Sequence, residues 1–116
     1  MTDAPISPAW FEKMQGKEAF VQRLFEVFLR EEPQRVNKIK AAVKGADLAQ
    51  VKFLAHSLKG AAATMGAEPL RDCCLRLELA AKSNDPLQSA EAMSCLEREI
   101  GRVYTCMRER MVPTSH

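Results

Sequence analysis

The sequence is poor in several features that would assign it to a function class. Its 116 residues include five glycines, one tryptophan and one tyrosine, and aromatic residues make up 6%. Lys and Arg exceed Asp and Glu by a net charge of only +2, whereas nucleic-acid-binding domains usually show a concentrated basic face. No apolar run approaches the roughly 20 residues that cross a bilayer, and residues 1–15 lack the basic and apolar regions of a secretory signal. We therefore expect a cytoplasmic protein with no nucleic-acid partner and no membrane insertion.

Motifs for metal and nucleotide binding are also missing. The four cysteines form no CxxC pair and have no histidine at zinc spacing; they are Cys73, Cys74, Cys95 and Cys106. We interpret all four as reduced thiols in the core of a cytoplasmic protein. The sequence contains no GxxxxGK[ST], GxGxxG or HExxH motif. These absences predict no metal site and no nucleotide chemistry carried out by this chain alone.

Helix-starting and helix-ending residues divide the chain into segments. The expected starts lie at Ser7-Pro8, Lys17, Pro33, Asp47, Pro69 and Asp85-Pro86, and the expected ends at Gly16, Gly45, Gly66 and Pro113. Inside the segments apolar residues recur at helical intervals, and no window alternates with the period of a strand. Linkers this short place sequential helices antiparallel. We predict one all-α domain over residues 1–116: an antiparallel up-and-down four-helix bundle at about 17–111 with a short extra N-terminal helix.

The segment 48–65 has two different faces. Its apolar residues gather on one side of a helical wheel; they are Leu48, Val51, Leu54, Ala55, Leu58, Ala62 and Met65. His56 lies on another arc, with Lys52, Lys59, Gly60 and Ala63 at neighbouring helical positions. Glycine inside a helix lowers stability by about 1 kcal/mol relative to alanine. Gly60 therefore indicates a position left without a side chain so that another macromolecule can approach the helix closely. The pattern predicts an exposed imidazole flanked by mobile positive charge.

Several of these residues also have ordinary interpretations. An exposed histidine and its neighbouring lysines are common on helix surfaces, and a helical glycine can serve close helix packing. Glu78, in the next segment, either accepts a hydrogen bond from the imidazole or pairs with Lys82 four residues later. Phe53 and Leu75 border the arc of His56 and are candidates for a docking patch, although Phe53 can instead lie under the N-terminal helix.

The string HSLKGAAATMGA at residues 56–67 closely resembles the signature of histidine-containing phosphotransfer (HPt) domains. That signature is a histidine, then Leu-Lys-Gly, a run of small residues, an aliphatic residue and glycine. Leu77-Glu78 resembles the Leu-Glu pair of the family's next helix, and residues 45–47 resemble the turn before the active helix. Met65 departs from the usual branched aliphatic residue but has a similar volume. The resemblance covers about residues 17–111.

The resemblance implies a four-helix bundle that reversibly relays phosphoryl groups between receiver domains. On this reading His56 is the phosphoacceptor through Nε2, Lys59 lies beside the phosphate, and Gly60 permits receiver docking. Glu78 occupies the position from which family members hold the imidazole with Gln or Glu. Lys82 matches a position that is often basic.

The resemblance also implies the partners: a response-regulator receiver domain and a hybrid sensor kinase. The receiver is expected to bring the acidic pocket and the Mg²⁺, so this chain needs no cofactor and acts as a monomeric phosphocarrier without ATP-dependent kinase activity. The helical wheel adds Lys52, Phe53, Ala63 and Leu75 to the docking surface.

Two other functions are open to the same sequence. The chain can be a catalytically silent helical adaptor that docks a receiver-like partner without being phosphorylated. It can also be a cofactor-binding bundle with His56 as axial ligand, but the only other histidine is His116 near the C-terminus, and no inward-facing pair of ligands is available.

Overall fold

Caps that are visible in the sequence start three of the five helices. In the computed structural model, which describes residues 4–111, these are α1 (Pro8–Lys13), α2 (Glu18–Lys44), α3 (Leu48–Thr64), α4 (Glu68–Lys82) and α5 (Pro86–Arg110). The side chains of Ser7, Asp47 and Asp85 accept hydrogen bonds from backbone N–H groups in the first turns of α1, α3 and α5. They satisfy donors that have no partner inside the helix. No strand occurs within residues 4–111.

The four long helices form the predicted bundle. α3 packs against α2 and α4, and α5 packs against α4 and α2, so the four helices close into a ring. The predicted inner face of α3 is confirmed, since Val51, Ala55, Leu58 and Ala62 are fully buried. Trp10 on the short α1 is buried in the same core. The all-α bundle with a short N-terminal helix is therefore confirmed.

The three turns between the long helices repeat one geometry. The middle residue of each turn, Ala46, Gly66 or Asn84, has a positive φ of 56°, 67° or 53°. In each turn the next residue donates its N–H to a carbonyl five residues back, at 2.9 to 3.0 Å. This arrangement satisfies carbonyls left over at a helix end. Gly66 was predicted for this position, whereas at the end of α2 the residue with positive φ is Ala46 and not Gly45.

The predicted helix boundary at Pro33 is wrong. α2 continues through Pro33 as one helix of 27 residues, although proline cannot donate a hydrogen bond to the preceding turn. Buried Phe25 and Phe28 before the proline, and buried Val36 and Ile39 after it, lie on one helical stripe. Core packing on both sides outweighs the local cost, as tertiary contacts often do for a helix. Phe20, near the start of α2, is 54% exposed.

The prediction of four reduced thiols is wrong for two of them. Cys73 on α4 and Cys95 on α5 form a disulfide, with their Cα atoms 5.8 Å apart. The two residues are 22 positions apart in sequence, and only the packing of α4 against α5 brings them together. Cys74 and Cys106 are free thiols. The cysteines therefore no longer support a cytoplasmic location.

α1 holds the turn that follows α3. The Trp10 ring donates its Nε1–H to the carbonyl of Thr64 at 2.9 Å, and the Ser7 N–H donates to the carbonyl of Gly66 at 2.9 Å. A Cβ on Gly66 would lie 2.6 Å from the Cβ and 2.8 Å from the Cγ of Trp10. Glycine is therefore required here by contact as well as by its positive φ.

We expect Gly66→Ala and Gly60→Ala to change stability in opposite directions. Gly66→Ala should lower the free energy of unfolding by about 1–3 kcal/mol, because the methyl group meets Trp10. A Cβ on Gly60 would meet no atom within 4 Å, so Gly60→Ala should raise it by about 1 kcal/mol. Urea titrations followed by fluorescence of Trp10, the only tryptophan, measure both. Equal changes in the two variants would contradict the contact.

Candidate functional site

α3 presents His56 to solvent because its inner face is used by the core. His56 follows the fully buried Ala55 and precedes the fully buried Leu58 by two positions. On a helix these spacings direct the imidazole away from the core, and the His56 side chain is 68% exposed. The prediction of an outward-facing ring is confirmed.

Glu78 on α4 connects to two side chains of α3. Its Oε2 lies 3.0 Å from His56 Nδ1, and its Oε1 lies 2.8 Å from Lys59 Nζ. Only 17% of the Glu78 side chain is exposed, and 24% of Lys59. Of the two interpretations open for Glu78, contact with the imidazole is the one observed. Lys59 is not a free surface cation, because its ammonium group is held beside the ring by the same carboxylate.

These contacts keep Glu78 ionised. Partial burial opposes the charge, but hydrogen bonds from Lys59 and His56, together with their charges, hold the pKa of Glu78 below its usual value. A lowered pKa in the folded state means that the carboxylate stabilises the fold above the pKa it has when unfolded. This contribution is lost as the pH falls through the lower folded value. At neutral pH the bridge between α3 and α4 is fully formed.

The ionised carboxylate determines which nitrogen of His56 carries the proton. A carboxylate can only accept hydrogen bonds, so the neutral imidazole donates Nδ1–H to Glu78 Oε2. Nε2 then keeps its lone pair, on a ring that is mostly exposed. An imidazole with a free lone pair can act as a nucleophile.

The predicted docking residues lie on α3 and α4. Lys52, Phe53, Gly60, Ala63 and Lys82 are exposed, and Leu75 is half-buried. Phe53 is 65% exposed, so the alternative that it lies under the N-terminal helix is wrong. Phe53, His56 and Glu78 line a depression of about 550 Å³, together with Lys52 and Ala49. The structure brings Lys52 and Phe53 to the depression beside His56; the docking role of all six residues stays a prediction.

Sequence reasoning missed the contribution of α2 to this face. A groove of about 640 Å³ lies between α2 and α3, and Arg30, Arg35 and Lys38 line it opposite Phe53. No local signal in the sequence identifies these residues, because their position depends on the alignment of α2 along α3. Their helical spacing alone indicates only an exposed polar flank.

Within residues 4–111 no group of three His, Cys, Asp or Glu side chains is arranged to hold a metal ion. None of the helices in the same range is both long and apolar enough to span a membrane.

The chain is similar to known phosphotransfer proteins in sequence pattern and in structure. Residues 23–105 match the family model described as Hpt domain. The histidine-containing phosphotransfer protein B (HptB) from Pseudomonas aeruginosa PAO1 superposes with a TM-score of 0.84 at 23% identity, covering 94% of this chain and 96% of that one. The histidine-containing phosphotransfer protein ZmHP2 from maize superposes with a TM-score of 0.82 at 16% identity, covering 92% and 83%. A search of curated proteins found no match.

We expect Glu78→Ala to redistribute the proton on the His56 ring. Without the acceptor at Nδ1, the ring loses its preference for the Nδ1–H tautomer and shifts toward Nε2–H, which free imidazole side chains favour. Ring ¹⁵N chemical shifts at neutral pH measure this, with His116→Gln used to assign the two histidines. Glu78→Gln should preserve the Nδ1–H tautomer, because its amide oxygen can still accept.

Glu91→Ala is the control for removing a carboxylate, since Glu91 is exposed on α5. It should leave the His56 shifts as they are in the unmodified protein. Identical ring shifts for Glu78→Ala and the unmodified protein would contradict the assigned hydrogen bond.

Proposed function

Because the chain belongs to the Hpt domain family, and so has a histidine phosphotransfer role in two-component signalling, we propose that His56 carries the phosphoryl group. The observation that carries this proposal is the contact of His56 Nδ1 with Glu78 at 3.0 Å, on a ring that is 68% exposed. It leaves Nε2 as the accessible nucleophile. His116, the other histidine, lies outside the described residues.

The proposed reaction exchanges one bond to phosphorus for another. The Nε2 lone pair of His56 attacks the phosphorus of an aspartyl phosphate on a receiver domain, and an N–P bond forms. The P–O bond to the aspartate breaks, and its electron pair leaves with the receiver's carboxylate. The proton on Nδ1 stays in place, so the phosphorylated ring is cationic and lies against the Glu78 carboxylate. In the reverse direction the leaving group is a neutral imidazole.

Lys59 is proposed to stabilise charge during transfer. Phosphoryl transfer spreads negative charge over the equatorial oxygens, and a positioned cation lowers its energy. The Lys59 ammonium group lies 2.8 Å from Glu78 Oε1, and the other oxygen of that carboxylate contacts the imidazole. The cation is thus held next to the reacting ring before a partner arrives.

The proposal assigns the remaining groups to the partner. Family membership implies interaction with receiver and kinase partners of a phosphorelay. We propose that the receiver contributes its acidic pocket and Mg²⁺, and that this chain acts as a monomeric phosphocarrier in the cytoplasm, without nucleic-acid binding or kinase activity. The small residues Gly60 and Ala63 support close approach by such a partner. A Cβ at position 60 would meet no atom within 4 Å, so the space above Gly60 is open to the partner.

We expect His56→Gln to stay folded and to accept no phosphate from a phosphorylated receiver. His116→Gln is the matched control and should be labelled at the normal rate. Incubation with ³²P-labelled receiver, followed by acid and alkali treatment, measures phosphohistidine, which is acid-labile and alkali-stable. Normal labelling of His56→Gln would exclude His56 as the acceptor. Absence of such phosphate on the unmodified protein would favour the silent adaptor.

We expect Lys59→Ala to slow transfer within the complex by about 10- to 100-fold, because a cation near the transferred group is lost. Its effect on receiver affinity should be smaller. Lys52→Ala removes the same charge one turn before His56, where no carboxylate of residues 4–111 forms an ion pair with it. It should weaken association without slowing transfer in the complex. Rapid-quench and calorimetric measurements separate the two effects, and equal transfer rates for both variants would contradict the role of Lys59.

A further inference from the structure

The groove between α2 and α3 is continuous with the face that carries His56. Phe53 lines both this groove and the depression beside His56. It precedes His56 by three positions on α3, which places the two side chains on neighbouring parts of one helix surface. A partner that reaches Nε2 of His56 therefore also approaches Phe53, and through it the groove.

Phe53 gives this surface an apolar centre. Phe53 is 65% exposed, and it is the one Phe, Tyr or Trp among the residues lining either the groove or the depression. Aromatic side chains near the centre of an interface contribute strongly to binding when the partner buries them. The exposed ring thus predicts an apolar side chain on the partner at this point.

The α2 side of the groove is positively charged. Arg30, Arg35 and Lys38 line it, with Glu31 as the only carboxylate among the lining residues. Arg35 is held by the buried Glu32, with 3.3 Å between Nη1 and Oε1, and Arg30 lies 3.4 Å from Glu31. Within the described range 4–111, Lys38 has no ion-pair partner. We call Arg30, Arg35, Lys38 and Phe53 the α2 flank.

The opposite side of His56 is different. There Lys59 is engaged by Glu78 at 2.8 Å, and the same carboxylate holds the imidazole. Leu75 is half-buried, so it offers less apolar surface than Phe53. The α4 side therefore carries the groups that position the ring, while the α2 flank carries groups with no role in positioning it.

We propose that the α2 flank is the surface by which this protein selects its receiver. The fitting partner is a receiver domain that presents an apolar side chain to Phe53 and acidic side chains to Arg30 and Lys38. This inference rests on the proposed function, because it assumes that a receiver docks over His56. Charge complementarity favours such a partner, because three cations and one carboxylate line the groove and opposite charges across an interface raise association rates.

The test compares two double charge reversals. Arg30→Glu/Lys38→Glu alters the α2 flank, and Arg71→Glu/Arg76→Glu makes the same change in charge on α4. The pairs are matched: Arg30 and Arg71 each contact the adjacent carboxylate, Glu31 or Asp72, and Lys38 and Arg76 are both exposed. Transfer is measured at limiting concentration from phosphorylated receiver domains encoded in the same genome as this chain. Circular dichroism verifies that both variants are folded.

Labelling by phosphoramidate, a small donor that needs no docking surface, separates the two proposals. The rate of transfer from the receiver to each variant is divided by the rate at which phosphoramidate labels the same variant. If neither phosphoramidate nor any receiver labels His56 in the unmodified protein, the proposed function fails. If His56 is labelled, the result bears on the α2 flank alone.

We expect the α2-flank reversal to lower the normalised transfer rate by about tenfold or more, with the loss shrinking as salt is raised. The α4 reversal should stay within about twofold of the unmodified protein, as is common for charges outside an interface. Phe53→Ala should also lower the rate, with little dependence on salt. Equal losses for the two reversals, no loss for either, or loss for the α4 reversal alone would overturn the proposal.

Discussion

The site depends on one carboxylate that bridges two helices. Glu78 on α4 contacts both His56 and Lys59 on α3, through its two oxygens. The bridge forms only if the two helices keep their register, because a shift of one turn would move Glu78 by about 5.4 Å along the helix axis. That register is set by buried apolar residues on the facing sides, such as Leu58 on α3 and Leu77 on α4. The chemistry of the exposed ring therefore depends on packing inside the bundle.

Two connections attach α3 and α4 to the rest of the bundle. The turn between α3 and α4 is fixed by α1, through Trp10 and Ser7. Further along α4, the disulfide between Cys73 and Cys95 joins it to α5. Both connections hold α4 and leave the face that carries His56 exposed. A short N-terminal helix thus has a structural role that its length alone would not indicate.

Most of the fold could be predicted because it follows from patterns among residues that are close in sequence. Caps such as Asp47 and Asp85, and the apolar stripe of α3, are short-range patterns, and they identify helices, turns and the exposed position of His56 without knowledge of the neighbouring helices. The errors at Pro33 and at the cysteines involve long-range packing. Pro33 lies within α2 because the core on both sides holds the helix together, and Cys73 meets Cys95 only after α4 and α5 have packed. The basic residues of the α2 flank, Arg30, Arg35 and Lys38, escaped prediction for the same reason.

Helical spacing and a family resemblance both suggested Glu78, and its contact was left open between the imidazole and Lys82; the structure adds that Lys59 shares the carboxylate. This sharing has a consequence for a reversible carrier. Before transfer, the Lys59 ammonium group balances Glu78, and the neutral ring adds no charge. After transfer under the proposed function, the cationic ring also needs Glu78, and the phosphoryl group competes with it for Lys59. One ammonium group, on Lys59, and one carboxylate, on Glu78, then face two further charges: the cationic ring and the anionic phosphoryl group. The ring and the phosphoryl group are therefore not fully neutralised in the phosphorylated state. Under the proposed function, we expect such a site to hold the phosphoryl group without stabilising it so strongly that its return to an aspartate becomes slow.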